Sequence, residues 1–280
     1  MPKLRIAIIS TDDKLWSLYA WNNVLNSGLL NREEYELVGF WTCDQRFANK
    51  KEIKIRRWFL NTFRFWNFIK LFLFSVSFRV TAFFKSIAGN YYTSFTRLCR
   101  AHKINYYKTP LPNDPAFINW IKANNIDIVI IMIDHILKEE VLNAPNICVL
   151  NKHASMLPAN RGLFPYLWAG ITHDDQGISF HKVNKAIDKG DLYYQEKVTN
   201  PELIKSMIAF YFYVHTDYYK MLAVALKNIT TDTVIPTNGH LRSNYNSLPT
   251  PKDYRQFKKN GGRVINWKDI FLPAVLFSKN

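Results

Sequence analysis

Asn151-Lys-His153 sets an amide and an imidazole two residues apart. A carboxylate follows in Ile187-Asp188-Lys-Gly190-Asp191. These groups suit transfer of a carbonyl-derived group to an amine. Such a reaction needs a free amine, a stabilised oxyanion and a proton moved from the attacking to the leaving nitrogen. A side-chain amide such as Asn151 donates a hydrogen bond to the developing oxyanion, worth about 3 kcal/mol in comparable sites. The imidazole of His153 accepts a proton near neutral pH. Asp188, on a loop expected beside the imidazole, could orient the ring and steady its charged form, or relay the proton through water. No metal is required: His153, His173 and His181 lack the spacing and partners of a zinc site.

The positioning elements are read from periodicity. Ile147-Cys-Val-Leu150 is a short apolar run with the look of a buried strand, so Asn151 and His153 lie at its carboxyl end, where open α/β sheets place their chemistry. Two apart on a continuing strand, they share one side. Leu4–Ile9, Tyr35–Trp41, Ile104–Tyr107 and Ile126–Ile131 are further strands, and 177–183 and 192–198 flank the Asp188 loop. Helices are expected over 15–27, over 114–124, in a short turn at 139–142 and over 162–170. A long amphipathic helix is expected through Leu203, Met207, Tyr211, Val214, Tyr218 and Leu222. The fold class is α/β: a Rossmann-like, mostly parallel sheet with helices on both faces. No Gly-x-Gly-x-x-Gly follows the first strand, and no Gly-x-x-x-x-Gly-Lys-[Ser/Thr] occurs. A dinucleotide cofactor and ordinary ATP hydrolysis are therefore not expected.

Each motif alone is weak; as a set they resemble the active-site region of the folate-dependent formyltransferases. Asn151-Lys-His153, Ser155-Met-Leu-Pro158, Arg161-Gly162, Gly177-Ile-Ser179 and Asp188-Lys-Gly190-Asp191 fall in that family's order. The continuation through Leu-Phe-Pro-Tyr-Leu-Trp168 is similar to the sugar N-formyltransferase branch. The resemblance implies catalytic roles for Asn151, His153 and Asp188, with Asp191 the competitor for the acid. It also implies N10-formyltetrahydrofolate as donor co-substrate, its pterin against Met132, Ile133, Asp134, His135, Ile136 and Leu137 and against the Asp188 loop. Ser155 and Arg161 are candidates for substrate contact, with loop-pinning as the alternative for each. The implied acceptor is a nucleotide-linked deoxyamino sugar, with a thymidine diphosphate 4-amino-4,6-dideoxyhexose the leading class and surface polysaccharide its destination. Initiator tRNA is the alternative acceptor, and a non-catalytic binder of nucleotide sugars or anionic lipid the alternative class.

The net charge of +15 is unevenly placed. Residues 46–108 hold 14 Lys/Arg, one acid (Glu52) and 17 of the 43 aromatic residues; everything else carries only +2. This basic, aromatic block is expected to form helices with aromatic faces. Its excess charge suits anionic ligands or contact with a membrane surface. Between Phe59 and Ile87 the longest uncharged run, Leu71–Phe78, is shorter than the roughly 20 residues needed to span a bilayer. Three cysteines without metal-like spacing fit a reducing compartment, so a cytoplasmic enzyme is expected. Residues 1–229 are expected to form the catalytic domain. Residues 230–280 read as an extension, with a β-hairpin over Asn246–Ile270 turning at Gly261-Gly262. That hairpin would join a homodimer through Trp267 and Phe271, without nucleic acid.

Overall fold

The structure, a computed structural model, describes residues 3–46, 52–237 and 239–277. Residues 47–51 of the basic block and the ends of both expected domains lie outside the described residues.

The chain opens with β1 (Leu4–Thr11), α1 (Trp16–Asn26), β2 (Tyr35–Cys43), α2 (Glu52–Ile87), α3 (Phe95–Ala101) and β3 (Tyr106–Thr109). It continues through α4 (Pro115–Ala123), β4 (Ile128–Met132), α5 (Glu139–Leu142) and β5 (Cys148–His153). The sheet order is β3-β2-β1-β4-β5, all parallel. The antiparallel pair β7 (Gly177–Lys182) and β8 (Leu192–Lys197) extends it beyond β5. The short β6 (Arg161–Gly162) and α6 (Pro165–Thr172) lie between β5 and β7. The central strands are buried on both faces, and for that reason residues 6–9 of β1 and 128–131 of β4 read as unbroken Ile/Val/Ala runs. One core layer forms under α4 and α5 through Phe117, Ile121 and Val141. The larger layer, on the opposite face, takes α1, α7 (Met207–Thr216) and α8 (Tyr218–Thr230). Strand order reverses between β1 and β4, which opens a crevice at their carboxyl ends. The Asp13 carboxylate accepts backbone hydrogen bonds from Leu15, Trp16 and Ser17 there, fixing the start of α1.

The structure corrects three expectations. The helix read through Leu203–Leu222 is two helices, α7 and α8, parted at Asp217. Ser206 caps α7 through the Ala209 N–H. The periodicity runs on across the break because both helices bury the same face. The C-terminal hairpin is absent. Within Asn246–Ile270 lie α9 (Pro251–Lys259) and the start of a 3-10 turn (Trp267–Phe271), followed by α10 (Leu272–Phe277). Thr250 and Asp253 form a reciprocal capping box at α9, and Gly261-Gly262 closes that helix by donating to the Lys258 and Phe257 carbonyls. Finally, Ile55–Ile87 is long and apolar enough to cross a membrane by length and composition, because its charges are sparse rather than absent. Arg64 (φ 66°, ψ 161°) divides it into helical stretches 52–63 and 65–87. The second packs one face into the core through Phe74, Phe78 and Ala82.

Candidate active site

β5 continues through His153, beyond the apolar run that ends at Leu150, so Asn151 and His153 do share one side. The antiparallel register then sets Asn151 opposite His181 and His153 opposite Ser179 on β7. The loop between β7 and β8 folds Asp188 back over this pair. Asp188 adopts φ +53°, and Gly190 is required two residues later because a Cβ there would fall 1.7 Å from the Lys182 carbonyl oxygen.

The three expected catalytic residues converge. His153 Nδ1 lies 3.7 Å from Asp188 Oδ2. His153 Nε2–H donates to the Asn160 carbonyl at 3.0 Å, an assignment made from the hydrogen-bond network. That bond leaves Nδ1 as the basic nitrogen, facing the carboxylate that would stabilise its charged form. Burial pushes the imidazole below its ordinary pKa, more than Asp188 raises it, so the ring rests neutral at neutral pH. Burial also pushes the Asp188 carboxyl up, but His153, His181 and the Gly162 N–H (3.0 Å) together hold it well below the usual carboxylate range. Asp191 is exposed, whereas Asp188 lies against the His153 ring.

His181, assigned no role from sequence, is a fourth member. Its Nδ1–H donates to the Lys182 carbonyl at 2.9 Å. Its Nε2 sits 3.3 Å from Asn151 Nδ2 and 3.4 Å from Asp188 Oδ1. That nitrogen accepts from the Asn151 amide while the ring is neutral, and would donate to the Asp188 carboxylate only when the ring is protonated. One amide N–H of Asn151 is turned toward the ring and the other is left for a developing oxyanion. The alternation Gly177-Ile-Ser179-Phe-His181, polar residues two apart on a strand, was the available signal.

Ser155 is buried and donates to the Ala159 carbonyl at 2.7 Å, holding its own turn. Arg161 donates from Nη1 to the Ile187 carbonyl at 3.1 Å, which ties β6 to the Asp188 loop, while its Nε is buried without a hydrogen-bond partner. The expected pterin loop, 132–137, leaves β4 beside the site. There Asp134 Oδ2 accepts from the Arg46 N–H, but Asp134 Oδ1 and both ring nitrogens of His135 are buried without hydrogen-bond partners. Asp134 Oδ1 and His135 Nδ1 are 3.2 Å apart, in contact without hydrogen-bond alignment. Such orphaned polar atoms fit a loop that hydrogen-bonds a polar heterocycle. No cluster of His, Cys, Asp or Glu that could hold a metal occurs among the described residues.

The chain beyond Ile229 buttresses this site. β9 (Tyr245–Asn246) pairs in parallel with β6. The Asn160 side-chain oxygen accepts from Asn244 and Asn246 Nδ2 at 3.3 and 3.2 Å, and the Leu163 N–H donates to the Asn246 carbonyl at 3.0 Å. The strand segment that orients His153 through Asn160 and Asp188 through Gly162 is thus itself held by the C-terminal region. Next to it opens a largely apolar cavity of about 480 Å³, lined by Trp16, Phe74, Leu163, Phe164, Tyr211 and His215 among others. Burial keeps His215 well below the ordinary imidazole range, and it is anchored to the Tyr211 carbonyl at 2.6 Å.

Comparison with known proteins places this geometry. Residues 93–203 match the Formyl transferase family. The match contains Asn151, His153, His181 and Asp188. A methionyl-tRNA formyltransferase of Lachnospira eligens is 31% identical over 100 residues, 35% of this chain and 32% of the relative. The aligned stretch therefore spans about a third of the curated relative's length. Among solved structures, a sugar N-formyltransferase from Shewanella sp FDAARGOS_354 superposes with a TM-score of 0.53 at 16% identity, covering 92% of this chain and 87% of that one. Glycinamide ribonucleotide transformylase 1 from Symbiobacterium toebii gives the same TM-score at 13% identity, covering 87% and 95%. These likenesses show the Rossmann-like fold and do not choose between acceptors.

Proposed function

We propose that this protein is a folate-dependent N-formyltransferase that formylates the amine of a nucleotide-linked deoxyamino sugar. The observation that carries the reaction class is the convergence of Asn151, His153 and Asp188 at the carboxyl end of β5, inside the segment that matches the Formyl transferase family. Formyltetrahydrofolate, when bound along 132–137, supplies the formyl carbon. The amine would attack the formyl carbon as its bond to N10 breaks; neutral His153 takes the proton released by the amine and returns it to the leaving nitrogen, Asp188 stabilises the imidazolium in between, and Asn151 donates its free N–H to the oxyanion. The burial of His153 keeps it unprotonated and therefore competent as a base.

The sugar reading rests on the Arg161–Trp168 wording and on the cavity beside Gly162. Its apolar lining suits the methyl-bearing face of a deoxy sugar, while the diphosphate would lie outside it in the field of the basic block. A tRNA acceptor is supported by the curated relative and by the charge, and is the second reading. The reading also includes a cytoplasmic location, Arg161 at the edge of the acceptor site, and a homodimer.

The test is a panel of acceptors with one formyl donor. The purified chain should consume formyltetrahydrofolate only when an aminodeoxy sugar nucleotide is present, and Asn151→Ala and His153→Ala should each abolish turnover while leaving the melting curve in place. Transfer to initiator methionyl-tRNA instead would overturn the acceptor; donor consumption that survives His153→Ala would overturn the mechanism.

A further inference from the structure

The second stretch of α2, residues 65–87, presents an apolar stripe that no other described residue covers. Phe65, Phe72, Val76, Val80, Phe83 and Ile87 follow helical spacing and are 43–69% exposed. The opposite face holds Phe74, Phe78 and Ala82 in the core. The stripe is about 34 Å long, and a contiguous exposed apolar surface of this kind marks an interaction or membrane site. Trp267, whose ring lies 5.0 Å from the Lys70 ammonium, and Phe271 are exposed beside it on the turn that packs against α2.

Charge identifies the occupant. From Ile53 to Asn113 the sequence contains eleven Lys/Arg and no acid. On the helix, Lys70 and Arg79 fall at the two margins of the stripe, where long side chains reach up while their stems stay apolar. Two copies of this chain meeting face to face would bring cations against cations with no carboxylate between them. A nucleic acid would leave the phenylalanines exposed to water. A bilayer with anionic headgroups satisfies both features at once, accepting the apolar stripe at the acyl boundary and the cations at the phosphates. The buried inner face decides how the helix binds, since crossing the membrane would strip Phe74 and Phe78 from the core.

We propose that residues 65–87 form an interfacial helix that docks this protein on an anionic membrane surface, lying in its plane. Phe74, from the inner face, also lines the cavity beside the active site. Docking therefore holds that cavity within about one helix diameter, roughly 10 Å, of the lipid headgroups.

The test is co-sedimentation of the full chain with phosphatidylcholine vesicles, with and without about 30 mol% phosphatidylglycerol, with neither folate nor acceptor present. It therefore stands or falls separately from the formyltransferase reading. The expected result is binding to the anionic vesicles, weakened by salt and at least about tenfold weaker for Phe72→Glu with Val80→Glu. Lys70→Gln with Arg79→Gln should bind more weakly and lose part of the salt dependence. Should the stripe variants misfold by circular dichroism, quenching of the intact protein's fluorescence by brominated lipid serves instead, with a smaller loss expected for Trp66→Phe. A chain that stays in the supernatant, or stripe variants that bind as the parent does, overturns the proposal. So does a dimer in sedimentation velocity that the stripe variants dissociate, because a second copy would then be the occupant.

Discussion

Replacing Gly162 by alanine should damage both the stability of the protein and its site, by an amount the structure allows one to work out. Gly162 sits at φ +91°, and a Cβ there would lie 2.2 Å from the Asn246 carbonyl oxygen and 3.0 Å from the Tyr245 ring. Gly261 provides the control, at φ +85° with nothing within 4 Å of its Cβ position. Gly261→Ala should therefore cost only the left-handed backbone, about 1–2 kcal/mol. Gly162→Ala bears the same cost and must also push β9 away by about 1 Å. The bonds from Leu163 N–H to Asn246 O and from Arg161 N–H to Asn244 O then weaken, at about 1 kcal/mol each. The Gly162 N–H bond to the Asp188 carboxylate, charge-assisted and worth about 2 kcal/mol, is strained with them. The sum is about 5 kcal/mol, a fall in Tm of roughly 10–20 °C against roughly 2–8 °C for the control. Losing the grip on Asp188 should slow turnover roughly 30-fold. Differential scanning calorimetry and a formyl-transfer assay on both variants check this. If Gly162→Ala melts within a few degrees of Gly261→Ala and turns over like the parent, β9 is not holding the site and the reasoning fails.

Other substitutions probe the remaining parts. Asp188→Asn removes the charge that raises the His153 pKa, so turnover should drop on the order of 10²–10⁴-fold and the acid limb of its pH profile should move to lower pH; an unmoved limb would mean that another group reports it. His181→Ala should lower kcat about 10–100-fold with KM little changed, since it orients Asn151 and Asp188 rather than binding substrate; a pure KM effect would contradict that. Lys152 lies under the Tyr218 ring, where burial pushes its ammonium down to about 8 from 10.5. The unfolded chain then holds more protons between those values, so stability should rise with pH across that window. Lys152→Met should be more stable by about 1–3 kcal/mol at neutral pH and lack the rise, which urea titrations at pH 7, 9 and 10.5 would read. His153 follows the same sign: with its folded pKa below 6.5, its share of stability is lost as pH falls beneath that value, and His153→Gln should flatten the slope there.

The local parts of the site were legible because local sequence determines them. Asn151 and His153 belong to one strand, and Asp188 sits on the tight loop announced by Gly190. His181 was not legible, because its place depends on the β5–β7 register, a non-local pairing that no window of residues contains. The break at Asp217 escaped because the hydrophobic period is set by the shared core, not by hydrogen bonds within one helix. The C-terminal error had a readable remedy. Thr250-Pro251-Lys-Asp253 is an N-terminal helix signature, and it outweighs two glycines that serve equally well as a helix stop. The stripe on α2 was visible as composition, but which of its aromatic residues face outward required the buried partners to be known.

The pairing of β6 with β9 gives the protein an order of assembly. Residues 161–162 leave the ribosome long before residues 245–246, and until the later pair arrives, the turn that steers His153 and Asp188 has no edge to lie against. A nascent chain can complete its central sheet and still lack a set reaction centre. Competence would then come late in translation, so that fragments ending before residue 245 fold in part but remain inert toward amines.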